Sequence, residues 1–104
     1  MSSGPFALVT ASGGRLVAQG PLTFATARGA RALGRESLQS AAPGALEIDG
    51  SGITVADSAG LAVLLDWLAA AKRTGRRLRY THLPPGLAAL ARISEVDELL
   101  MRGV

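Results

Sequence analysis

Residues 53–75 read ITVADSAGLAVLLDWLAAAKRTG, and the fold turns on how this stretch is read. Leu61, Leu64, Leu65 and Leu68 stand at i, i+3, i+4 and i+7, a spacing that puts them on one side of an α-helix as a core stripe. Gly75 supplies a C-terminal stop, and Lys72 and Arg73 fall in the last turn, where cations suit the helix dipole. The pattern predicts a helix from about Ser58 to Thr74. At its start, either Asp57 or Ser58 can accept hydrogen bonds from the free backbone amides. Ser58 can equally be a hydroxyl displayed beside a binding face.

The side of this helix away from the leucine stripe carries Ala59, Ala62, Val63, Asp66 and Ala70, with Trp67 at its edge. A helix face turned to water normally bears charge, and here there is one carboxylate among small apolar residues. Two accounts are open. Another element of the chain covers the face, or it is a smooth docking surface for another protein with Trp67 as an anchor.

Working outward, ALEID before the helix reads as a short strand and GSGITVA as a loop with a short extended piece. After the helix, RRLRYTHL reads as a strand with Leu78 and Tyr80 on one face. Pro84-Pro85-Gly86 opens a short helix through Leu87, Leu90 and Ala91, and SEVDELLMRG forms a last one with Ser94 as N-cap. Towards the N-terminus, FALVTA and RLVAQG flank Ser12-Gly13-Gly14 and predict a hairpin, which Gly20-Pro21 ends. From Leu22 to about Ala41 the period becomes helical, with Leu22, Thr26, Ala30 and Leu33 on one side and Arg28, Arg31 and Arg35 on another. Gly29 and Gly34 each cost this helix up to ~1 kcal/mol relative to alanine, so it must rely on packing. Ala42-Pro43-Gly44 breaks it. The order β-β-α-β-α-β-α-α predicts an α/β fold, a mixed sheet packed against helices.

Composition narrows the class. At 104 residues the chain has the length of one domain, expected to span 1–104, and its 48% hydrophobic content excludes disorder. It has no cysteine, hence no disulfide and no thiolate metal site. MSSGPFALVT lacks the pattern of a signal peptide, and no apolar run approaches the ~20 residues needed to span a bilayer. A cytoplasmic protein is the expectation. The net charge of +3, carried mainly by arginine, favours acidic partners only weakly.

The segment LEIDGSGITVADSAGLAVLLDWLAAAKRTGRRLRYTHLPPGLAALARISEVDELL, residues 46–100, resembles STAS domains, the fold shared by bacterial anti-sigma-factor antagonists. The motifs that carry the resemblance are the strand LEID, the DSAGL turn into an amphipathic helix, Gly75 and the closing helices. Within the family the compact form is most similar to the MlaB-type STAS subunits of the Mla phospholipid-transport ABC complex. The resemblance implies that Asp57, Ser58, Ala59 and Gly60 begin the partner-binding helix, which continues through Ala62, Val63, Asp66 and Trp67. In anti-sigma-factor antagonists the serine matching Ser58 is phosphorylated by a partner kinase, which switches binding off. In MlaB-like proteins the hydroxyl at that position meets the ABC ATPase subunit, and the STAS subunit supports the ATPase without catalysis of its own.

The remaining candidates are weaker. His82 is the single histidine, so no metal set forms around it. A Ser58–His82–Asp triad lacks the nucleophile elbow that would support it. KRTGRRLR reads as helix-end complementation followed by outward strand positions, or as a contact for anionic lipid. The run of Arg28, Arg31 and Arg35 reads as a solvated face or a match for an acidic patch. No stacking platform or reading helix suggests nucleic acid, and GSG is no P-loop. The chain is therefore expected to act by binding, with no enzyme activity, cofactor or metal. The partner is expected to be an ABC transporter ATPase subunit. The alternatives are an anti-sigma factor or kinase gated through Ser58, or an anionic ligand or lipid headgroup held by the arginines. Membrane contact is expected only through the complex, at the inner face of the cytoplasmic membrane.

Overall fold

The computed structural model describes residues 5–41 and 44–103. Four strands form one sheet in sequence order: β1 (Ala7–Ala11), β2 (Arg15–Leu22), β3 (Ala45–Ala56) and β4 (Arg77–Thr81). β1 and β2 pair antiparallel as the expected hairpin, with Gly13 and Gly14 at positive φ in its turn. β2, β3 and β4 run parallel, joined by the crossover helices α1 (Ala27–Ser40) and α2 (Ser58–Arg73). The helices α3 (Pro85–Ile93) and α4 (Asp97–Arg102) close the chain. This is the mixed sheet and helix order expected from the sequence.

The strand register puts the core on one face. Leu16 stands beside Ile48, Ile48 beside Tyr80, and Leu46 beside Leu78; all are buried under the helices. The opposite face is polar. There Arg15 Nη2 meets Asp49 Oδ2 at 2.8 Å, and Thr81 Oγ1 donates to Glu47 Oε2 at 3.2 Å. Asp49 is buried beneath this cluster. The Ser51 amide and hydroxyl, with the Arg15 guanidinium, hold its carboxyl down at about 2.

Several boundaries differ from the sequence reading, each for a local reason. GSG is not a loop: β3 runs unbroken through it, with an extra residue bulged opposite Val17–Gln19. Gly52 permits that path, since a Cβ there would lie 2.6 Å from the Ala18 carbonyl oxygen. Gly20-Pro21 does not end β2, because a second irregularity between Gly20 and Leu22 absorbs the proline and carries the strand to Leu22. α1 consequently starts at Ala27, and Leu22 is a core strand residue. Ala42 and Pro43, read as the breaker, lie outside the described residues. Ser94 caps the end of α3, its amide bonded to the Leu90 carbonyl; Glu95 then takes φ 60° and α4 begins only at Asp97.

Trp67 packs α2 against α1. Its indole is fully buried between α2 and α1, donates from Nε1 to the Arg31 carbonyl oxygen at 3.4 Å, and lies 6.1 Å from the Phe6 ring. Gly34 faces it on α1, and a Cβ at that position would fall 2.0 Å from Nε1. Gly34→Ala is therefore expected to cost about 2 kcal/mol or more by overpacking. For a domain of this size that lowers Tm by roughly 10 °C or more in thermal unfolding. Gly29→Ala, where a Cβ meets nothing, should leave Tm level or raise it.

Candidate partner-binding face

The face is assembled where the end of β2, the turn into α1 and the start of α2 converge. Asp57 leaves β3 extended (φ −131°, ψ −169°) and folds its carboxylate back over the first turn of α2. Oδ1 accepts the Gly60 amide and Oδ2 accepts the Phe24 amide, each at 3.1 Å. Asp57 is thus both the N-cap of α2 and a clamp on the β2–α1 turn. These amides, Phe24 foremost, hold its carboxyl below the usual carboxylate range. Gly60 is obligatory beneath it, because a Cβ would lie 2.1 Å from the Leu22 carbonyl oxygen.

With capping assigned to Asp57, Ser58 is left as the first helical residue. It is exposed, and among the described residues its hydroxyl enters no hydrogen bond. Beside it Ala59 is half-buried and Ala62 exposed. Ala59, Ala62 and Val63 from α2, with Phe24, Ala27, Arg28 and Arg31 from the other side, enclose a shallow groove of about 390 Å³.

The rest of the sequence-stretch α2 face is not free, and here the expectation needs correcting. Trp67 is core, so it cannot serve as an exposed anchor, and Val63 reaches only the groove floor. Ala70 is buried as well. Asp66 is engaged by α1: Arg35 grips it bidentately, Nη2 to Oδ1 at 2.8 Å and Nε to Oδ2 at 3.1 Å, and Arg31 stands 3.7 Å away. The Arg35 hydrogen bonds lead in lowering the Asp66 pKa. The first of the two open accounts therefore holds for part of the face. α1 covers its inner part, while Ser58, Ala62 and Ala69 remain exposed with Leu65 half-buried between them.

Phe24 is what the sequence reading missed. Placed inside a helix running from Leu22, it is instead in a turn and 84% exposed. The usable signal was Thr23 and Thr26 around it: Thr26 Oγ1 accepts the Thr23 amide at 3.0 Å and donates to the Pro21 carbonyl at 2.8 Å, the bonding of a helix-start turn. His82 stands at positive φ with Nδ1 3.6 Å from Asp49 Oδ2, and no hydrogen bond joins it to Ser58. Among the described residues, no cluster of three His, Cys, Asp or Glu side chains could hold a metal ion, and no helix is long and apolar enough to cross a membrane.

A family model described as "Mlab, STAS domain" matches residues 9–102. The chain belongs to the MlaB-type STAS family. Among solved structures, this STAS chain is similar to the unphosphorylated form of the anti-sigma factor antagonist SpoIIAA. The TM-score is 0.69 at 16% identity, over 92% of this chain and 84% of that one. At that identity the likeness is one of fold. No curated protein matches the chain. STAS domains of these two kinds are in general regulatory and interaction domains.

The clamp in this STAS domain has a pH signature. The Asp57 pKa is lower folded than unfolded, so its contribution is complete above the unfolded value of roughly 4 and is lost as pH falls through the folded value. Thermal unfolding of Asp57→Ala beside the native chain should show a gap in Tm at pH 7. That gap should narrow steadily below about pH 4.

Proposed function

We propose that this STAS chain is a non-catalytic subunit that binds and supports the ATPase of an ABC-type phospholipid-transport system of the Mla kind, which serves outer-membrane lipid asymmetry. It works in the cytoplasm, at the inner face of the cytoplasmic membrane, through that complex. The observation that carries this reading is the MlaB-type match over residues 9–102, read together with the uncharged surface that exposed Ser58 and Ala62 and half-buried Ala59 make at the start of α2. Small side chains allow a partner's backbone to approach closely, and no charge has to be desolvated at these three positions. Docking here stabilises one arrangement of the ATPase, which is all the support an inert subunit can give.

Ser58→Arg tests the reading cleanly, because the native side chain holds nothing in the fold. The variant should unfold at the native temperature and lose capture of the co-expressed ATPase subunit, and Ala62→Arg should do the same. Undiminished capture by folded variants overturns the proposal.

A second reading, an anti-sigma-factor antagonist switched at Ser58, is favoured by one observation: that hydroxyl is exposed and uncommitted. A phosphate there would add about two negative charges beside the Asp57 carboxylate and on the docking surface. Intact-mass measurement of the protein from its native cell should then find a phosphorylated fraction, and its absence under all growth conditions removes this reading.

A further inference from the structure

The aromatic ring of Phe24 stands in water on a turn held by Asp57 and Thr26. Phenylalanine is ordinarily buried, and this ring is 84% exposed beside a groove that it does not fill. The turn beneath it is pinned from two sides: the Phe24 amide by Asp57, and the flanking threonines by each other and by Pro21. A ring presented on a pinned turn loses little conformational freedom when a partner covers it, as a binding anchor requires.

The charges around it are unevenly matched. Asp66 is taken by Arg35 and Arg31, and the Asp57 carboxylate is taken by two amides. Arg28, one helical turn beyond Phe24 and on the same groove, has no ion-pair partner among the described residues. The rim is left with surplus positive charge.

We infer that Phe24 is the anchor of the docking face and Arg28 its charge guide, so that the partner is a protein surface with an apolar hollow for the ring and a carboxylate beside it. This rests on the docking role proposed above and specifies what the docked ATPase must present. A free anion would satisfy Arg28 and leave the ring in water. A concave groove flanked by one ring and by two arginines, of which Arg31 already faces Asp66, suits a shaped protein surface better than a flat membrane.

The test is titration of the full chain and its variants against the purified ABC ATPase subunit from the same cell, at low and high salt. Phe24→Ala should raise Kd roughly 30-fold, as loss of a hot-spot side chain does, while Phe24→Trp stays near the native value. Arg28→Glu should weaken binding more than Arg28→Ala, and the difference should shrink at high salt. Thermal unfolding of all four should match the native chain, since neither side chain is buried. Unchanged affinity of Phe24→Ala and Arg28→Glu, with Ser58→Arg still abolishing binding, overturns this inference and leaves the docking role standing. Absence of binding by the native chain overturns both. Native binding to phosphatidylglycerol vesicles that both variants lose, with ATPase affinity intact, assigns the pair to a membrane and also overturns it.

Discussion

The spacing between α1 and α2 depends on one contact, the Trp67 indole lying over Gly34. Full burial of a tryptophan removes roughly 150–250 Å² from water, a gross gain of about 4–6 kcal/mol before entropy is charged against it. No other side chain than hydrogen at position 34 admits the ring. Because the two helices are drawn together there, Arg35 and Arg31 come within reach of Asp66. A turn further towards the N-termini the same approach sets the groove between Phe24 and Ala62. The groove is thus shaped by a buried residue that does not line it.

The parts of this fold that were legible in the sequence are those governed by period. The Leu61–Leu64–Leu68 stripe, the alternation around Leu78 and Tyr80, and the glycine turn of the first hairpin each follow from one repeating geometry. Residues that obey two constraints at once were misread. Gly50, Gly52 and Gly20 look like breakers because glycine usually is one, yet here Gly52 lets β3 bulge against the Ala18 carbonyl of β2, Gly20 admits the Pro5 carbonyl before β1, and Gly50 admits Leu83 after β4. Trp67 looked like an edge residue on a helical wheel, since a wheel does not know that a second helix carries a glycine opposite. Phe24 was hidden by a helix boundary drawn five residues too early, and with it went the most exposed aromatic of the chain.

Three aspartates tie the elements together, and each joins segments distant in sequence. Asp49 links β3 to Arg15 on β2, Asp57 links α2 to the β2–α1 turn, and Asp66 links α2 to α1. Backbone amides satisfy two of the three in part, so fewer arginines are neutralised than a count of opposite charges suggests. A positive excess remains at the surface, and Arg28 contributes to it without an ion pair among the described residues. All three carboxyls titrate lower in the folded chain than when free, so what they contribute is complete near neutral pH and is lost as pH falls below about 4.

The adjacency of Asp57 and Ser58 separates two jobs that a single N-cap residue often combines. Asp57 carries the helix start and the turn; Ser58 carries nothing internal. A substitution at position 58 therefore breaks no internal side-chain hydrogen bond, and on the docking role proposed above its effect falls on the partner. On that proposed role, exchange of Ser58 for threonine, alanine or an acidic residue would retune or silence the association while the Asp57 clamp stays intact.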